Sequence, residues 1–301
     1  MKRLIFACLV LLAATASAAA HARLNVFACE PEWGALAKEL GGGDVTVYTA
    51  TNAMQDPHHI QARPSLIAKM RQADLVVCTG AELEIGWLPV LLTESGNDRI
   101  QPGQTGYFEA TRYVSLLEVP SRLDRSMGDV HAAGNPHIQT DPRIIARVAG
   151  PMAKVMAQLD GARASDYTKR EQAFQARWAQ AIKTWEAKAA PLKGIPVAVQ
   201  HDAFPYLENW LGLKRVAVLE PKPGVEPSVS YLATVLEKLK TNPAKMVLRA
   251  AYQPDRPSLW LAEHAGMAAV ALPFTVGGDA QAGDLYGLFE DTVNRLLGGL
   301  K

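Results

Sequence analysis

Apolar runs and amphipathic stretches alternate along most of this chain. Leu24 to Cys29 reads as a buried strand, Glu32 to Leu40 as an amphipathic helix closed by Gly41-Gly42-Gly43, and Val45 to Thr49 as the next strand. Pro64 to Ala73 reads as a helix, Leu75 to Cys78 as a strand and Leu83 to Glu94 as a helix. Strands separated by helical crossovers predict a parallel sheet covered on both faces. The alternation resumes later in the chain, with strands at Ile195 to Gln200, Val216 to Leu219, Lys245 to Arg249 and Ala268 to Leu272. Helices are expected at Ala203 to Leu211, at Pro227 to Leu239 with a start signal at Pro227-Ser228, at Leu259 to Gly266 and at Asp284 to Leu297.

Between the two alternating regions, Asp141 to Leu159 and Ala164 to Ala190 are helical in pattern with no strand signal. The second stretch carries Tyr167, Phe174, Trp178, Ile182 and Trp185 at helical spacing, which reads as packing surface. The expected fold is α/β: two βα lobes with parallel sheets, joined by a long rigid connecting helix that leaves little room for lobe closure. The boundaries read as a signal peptide over 1–22, an N-terminal lobe over 23–160, the connecting helix over 161–191 and a C-terminal lobe over 192–301.

The first residues set the compartment. Lys2 and Arg3 precede an apolar run from Leu4 to Ala14, and small residues follow to Ala22, with Ala20-His21-Ala22 or Ala16-Ser17-Ala18 as cleavage sites. The run is too short to span a bilayer, so it reads as a cleavable secretory signal. Cys8 has no hydrophobic run before it, which gives no support for lipid attachment. A soluble periplasmic monomer of about 280 residues is expected, large enough for two lobes. Loss of Lys2 and Arg3 takes the formal net charge from +1 to −1. With no basic block, nothing points to nucleic acid or an anionic membrane surface as partner. Cys29 and Cys78 each close an apolar run and could lie at the same end of neighbouring strands; in an oxidising compartment they are either a disulfide or two buried thiols.

The candidate chemistry lies in the histidines. His58 and His59 follow Asp56-Pro57, His131 and His137 flank a glycine-containing loop, and His201 ends a strand. The crevice beyond the carboxyl ends of parallel strands is where ligands bind in open α/β sheets. Three neutral imidazoles with a water or carboxylate suit zinc. Asp56, Asp141 and Asp202 are near enough in sequence to accept from the rings. His264, beside Glu263 on a helix, reads as structural.

Asp56-Pro57-His58 with Pro64-Ser65, Asn135-Pro136-His137 with Asp141-Pro142, and His201-Asp202-Ala203-Phe204 together resemble the zinc/manganese solute-binding proteins of ABC uptake transporters. Gly80-Ala81-Glu82-Leu83-Glu84 with Trp87-Leu88, and Glu226-Pro227-Ser228, extend the resemblance over essentially the whole mature chain. It implies two lobes bridged by a rigid helix, with the metal in the interlobe cleft. His58 and His137 would be ligands from the first lobe and His201 the ligand from the second, with a permease in the inner membrane as partner. Histidine at position 201, where manganese-tuned members tend to carry a carboxylate, leans the site to Zn2+ over Mn2+. Phe274 stands where many members place an aspartate, so the fourth ligand is open among water, Glu84 and Asp279. The family's long histidine-rich loop is reduced to the segment of His131, an accessory site or a plain loop residue, and His59 is adjacent to a motif ligand. Beside metal capture stand two other readings: a zinc hydrolase, for which no His-Glu-x-x-His helix is present, and a binder of a metal chelate or organic solute.

Overall fold

The computed structural model describes residues 22–121, 128, 129 and 131–301; the segment expected to be a signal peptide, apart from Ala22, lies outside the described residues. Two four-stranded sheets form, each wholly parallel. The first runs β2 (Val45–Thr49), β1 (Leu24–Ala28), β3 (Leu75–Cys78), β4 (Tyr107–Glu109); the second runs β6 (Lys214–Val218), β5 (Pro196–Val199), β7 (Met246–Ala250), β8 (Ala268–Leu272). The same order occurs twice. In each sheet the chain leaves the first strand, pairs on one side, then crosses to the other, and that switch point opens a crevice at the carboxyl ends of the strands. β3 is buried along its whole length, as expected of a strand covered by helices on both faces.

Helices α1 (Pro31–Gly41), α2 (Pro64–Arg71) and α3 (Leu88–Ser95) belong to the first sheet, and α6 (Pro205–Leu211), α7 (Val229–Thr241), α8 (Arg256–Ala265) and α9 (Leu285–Gly298) to the second. Between them run α4 (Pro142–Leu159) and the 26-residue α5 (Ala164–Ala189), which contains neither proline nor glycine. Two expectations change. Strand β4 carried no clear alternation, since it is only three residues long. The helix expected from Leu83 begins at Leu88: residues 81–87 form turns, and Trp87, at φ −143° and ψ −34°, stands outside the helical region as its N-cap.

The two sheets share one core. Tyr167, Phe174, Trp178 and Trp185 on α5 are buried in a cluster that includes Val26 and Val77 of the first sheet and Val199 and Leu248 of the second. Trp178 is fully buried, its indole N–H donates to the Pro142 carbonyl at 2.8 Å, and its ring meets Tyr286 and Phe289 edge-on. A hydrogen bond also crosses between halves, from the Thr275 hydroxyl to the Glu32 carboxylate. The lobes are therefore packed together rather than strung on a linker.

Register decides the cysteines. Ala28 pairs with Val77, so the next residues, Cys29 and Cys78, are neighbours with Cα atoms 4.8 Å apart, and they are joined as a disulfide. The bridge closes a 49-residue separation, long enough for a large chain-entropy effect on the unfolded state.

Two outcomes are expected. Trp178→Ala should cost about 3–5 kcal/mol in denaturant unfolding, and the parent chain should unfold in one transition; two resolved transitions would contradict a shared core. The double variant Cys29→Ser with Cys78→Ser should lose about 2–4 kcal/mol by the same measurement.

Candidate metal centre

Three buried imidazoles from distant parts of the chain meet in the crevice between the sheets. His58 lies beyond β2, His137 in the segment before α4, and His201 two residues beyond β5. One ring nitrogen of each lies within 4.8 Å of the others, and ring centroids are 5.3 Å apart for His58–His137 and His137–His201 and 5.8 Å for His58–His201.

Each ring is aimed by an acceptor on Nδ1. In Asp56-Pro57-His58 the Asp56 carboxylate takes both the His58 backbone N–H at 3.0 Å and the ring Nδ1 at 2.7 Å. Asn135-Pro136-His137 repeats that arrangement: the Asn135 side-chain oxygen takes the His137 N–H at 3.0 Å and its Nδ1 at 2.8 Å. The shared Asx-Pro-His pattern is thus a local device in which the residue two before the histidine fixes backbone and ring together. For His201 the acceptor comes from another strand. Val199 pairs with Val218, so His201 and Glu220, each two residues further on, reach the same level, and Glu220 Oε2 lies 2.7 Å from His201 Nδ1. With each Nδ1 held, Nε2 is the nitrogen left to face the centre. His137 Nε2 is buried with no hydrogen-bond partner among the described residues.

The electrostatics act differently on the two rings His137 and His201. Burial, reinforced by His201 and His58 nearby, holds His137 well below the usual histidine range, so its ring is neutral. Burial pulls His201 down as well, but the hydrogen bond and charge of Glu220 outweigh it and the net direction is upward. Asp56 is lowered: burial works against ionisation, and the contacts with His58 prevail. Two clefts meet at the rings: one of about 100 Å³ lined by His131, Asn135, His137, His201 and Asp202, and one of about 250 Å³ lined by Asp56, His58, His201 and Glu220. A larger cavity of about 650 Å³, bounded by Lys38, Arg170 and Arg177, contains no histidine.

The other candidates fall elsewhere. Glu84 accepts from the Thr79 and Gly80 amides, with Thr79 N–H at 2.7 Å, and sits with Glu30 and the disulfide rather than with the histidines. Asp279 ion-pairs with Arg295 and accepts the Gln281 N–H. Neither belongs to the three-histidine cluster. Phe274 packs against His137 with ring centroids 5.8 Å apart. His59 points to Asp129 at 3.5 Å with an exposed ring, and His264 stacks on Trp260. Two acceptor expectations are corrected: Asp141 caps α4 and grips Arg143, while Asp202 pairs with Arg215. In their place stand Asn135 and Glu220. Asn135 was legible as the counterpart of Asp56; Glu220 needed the strand register. His131 brings Nε2 to 3.2 Å from His58 Nε2.

Behind the site lies a buried carboxylate group. Glu32 and Glu84 are raised to about 7, chiefly by burial, and burial with the Glu84 charge raises Glu30 well above the usual carboxylate range.

The family described as zinc-uptake complex component A, periplasmic (ZnuA) matches residues 26–298. The metal ABC transporter substrate-binding lipoprotein SloC of Streptococcus mutans is 22% identical over 311 residues, covering 100% of this chain and 98% of that protein. The high-affinity zinc uptake system protein ZnuA of Bacillus subtilis is 23% identical over 209 residues, covering 68% of this chain and 63% of that one. The zinc-binding lipoprotein AdcA of Streptococcus pneumoniae serotype 4 is 26% identical over 212 residues, and this chain spans only 40% of its length. Among solved structures, FpvC of Pseudomonas aeruginosa in complex with Mn2+ superposes with a TM-score of 0.78 at 22% identity, covering 92% of this chain and 98% of that one. A crystal structure of ZnuA gives 0.73 at 21% identity, covering 91% and 99%. At these identities the superpositions speak for the fold.

The carboxylates generate a pH prediction. Glu32 holds its proton in the folded chain up to about pH 7, whereas the unfolded chain releases it near 4.5. Its contribution to stability is therefore full below about pH 4.5 and is lost as pH rises through about 7. In thermal unfolding of metal-free protein, Glu32→Gln should remove part of that decline; an identical pH dependence in variant and parent would contradict the burial of an ionising group at Glu32.

Proposed function

The chain belongs to the family of periplasmic zinc-uptake component A proteins, and from that premise we propose that it captures a bare divalent zinc ion and delivers it to a membrane permease of an ABC importer. The observation that carries this reading is the convergence of three buried imidazole donors, from segments far apart in sequence, within 4.8 Å of one another. His58, His137 and His201 are the ligands in this reading. Neutral nitrogen donors favour zinc over manganese, and the Asp56 and Glu220 carboxylates on the outer ring nitrogens offset the charge of a divalent ion. Manganese remains a weaker cargo for the same site, in keeping with relatives named as manganese ABC transporter substrate-binding lipoproteins.

The donor set supports a free ion over a chelate, because all three buried ring nitrogens lie close enough to reach one centre. Binding without turnover is the matching activity. Glu84, the carboxylate best suited by position in the sequence to act as a general base, is committed to two backbone amides. We place the protein in the periplasm as a monomer released by cleavage of residues 1–22, in contrast to the lipoproteins SloC and AdcA. Among the described residues no helix is long and apolar enough to cross a membrane.

Titration of chelator-stripped protein with zinc is the test. One site per chain is expected, and because the unfolded chain lacks it, zinc at 100 times its Kd should add about 2.7 kcal/mol to stability. Replacing His58, His137 and His201 together with alanine should abolish that site; unchanged affinity would refute the ligand assignment. Asp56→Ala should weaken zinc about 10- to 100-fold through loss of ring orientation.

A further inference from the structure

A fourth ring faces the same point. His131 lies beyond the tight cluster of three, yet its Nε2 is 3.2 Å from His58 Nε2 and its ring centroid is 5.3 Å from that of His58 and 6.3 Å from that of His137. We propose that His131 is the fourth ligand of the captured ion, so that zinc is held by four imidazoles and by no oxygen. This rests on reading the three-histidine cluster as the metal site.

Geometry is the first support. A tetrahedral zinc with Zn–N bonds of about 2.0–2.1 Å has N···N edges of about 3.3–3.4 Å. The His58–His131 separation of 3.2 Å is close to one such edge. His131 stands at the His58 side of the cluster.

The second support is the character of the contact. His58 already uses Nδ1 on Asp56, which leaves its Nε2 to face His131. The two Nε2 atoms face each other at 3.2 Å, a contact that needs a proton or a cation between them. A metal ion satisfies both at once, and it also satisfies the buried, unpartnered His137 Nε2.

The third support is how the segment is held. The next residue, Ala132, donates its N–H to the Glu82 carboxylate at 2.9 Å. Glu82, which supplies this anchor, lies with Ala81 in a left-handed turn beyond the end of β3. Meanwhile two oxygen donors that the sequence offered are occupied: Glu84 by backbone amides and Asp279 by Arg295. Phe274 presents only carbon beside His137. A four-nitrogen site follows, and such a site discriminates against Mn2+ more strongly than one completed by water or carboxylate.

The test is X-ray absorption of the zinc-loaded mature chain, with zinc affinity measured on the same samples. The parent protein should fit four imidazoles; His131→Ala should fit three plus one oxygen and lose about 100-fold or more in affinity, since even an outer acceptor is worth 10- to 100-fold. His131→Gln, which keeps the side chain's bulk, should behave as His131→Ala does, with the metal-free melting temperature unchanged in both. A parent spectrum of three imidazoles and one oxygen overturns the proposal, as does His131→Ala with unaltered coordination and affinity. His58→Ala separates the two levels of inference. If it abolishes zinc binding while His131→Ala changes nothing, the metal-capture reading stands and His131 alone is misassigned. If neither variant alters zinc binding, the site assignment beneath the proposal falls.

Discussion

The hydrogen bonds on the outer nitrogens of the three buried imidazoles are the constraint on which the site depends. A free histidine ring turns about two side-chain bonds, and three free rings would not meet reliably. Here Asp56, Asn135 and Glu220 each hold one ring at 2.7–2.8 Å and leave Nε2 aimed inward. Two of the acceptors lie on the same short segment as their histidine, with proline between them, so those rings are oriented within their own segments. The third acceptor needs the β5–β6 pairing. The second lobe must therefore be folded before its ligand is in place.

Orientation within each segment does not bring the segments together; the shared core does that. His137 sits in the chain just before α4, and α4 and α5 pack side by side, with α5 presenting its aromatic stripe to both sheets. Tyr206 of α6 ties the halves at the site itself: its hydroxyl donates to the Asn135 carbonyl at 2.6 Å and accepts the Leu117 N–H at 3.0 Å. Asn135 also donates to the Asp202 carbonyl at 2.8 Å. The same asparagine thus aims His137 and fastens its loop beside His201. A preformed cluster of this kind lowers the ordering cost of binding, and it sets donor separations that suit a single ion.

The carboxylates behind the site add a second layer of constraint. Glu84 pins the turn that carries Ala81 and Glu82, Glu30 accepts from the Thr79 hydroxyl at 3.2 Å, and Glu32 reaches across to Thr275 in the other half. Burial makes these groups hold protons near neutrality, so they act as hydrogen-bonding acids as much as anions. The disulfide lies beside them and locks the ends of β1 and β3 from which the loop departs.

The sequence by itself determined the elements and the kind of chemistry. The strands expected at Val45 to Thr49, Leu75 to Cys78 and Ala268 to Leu272 match residue for residue; Leu75 to Cys78 is buried throughout and apolar on both faces, so it is legible without its neighbours. The helical stretch ending at Ala190 predicted α5, and the Asx-Pro-His motifs marked His58 and His137. What the sequence left open was whatever depends on strand register or on a loop's path. Strand β4 is too short to show a period. The cysteine pairing followed from Ala28 lying opposite Val77, the acceptor for His201 from Val199 lying opposite Val218, and the position of His131 beside His58 from two loops 73 residues apart in sequence. Side-chain periodicity is a local property that each segment carries alone. Which segments come to lie side by side is fixed only when the whole core closes around α5.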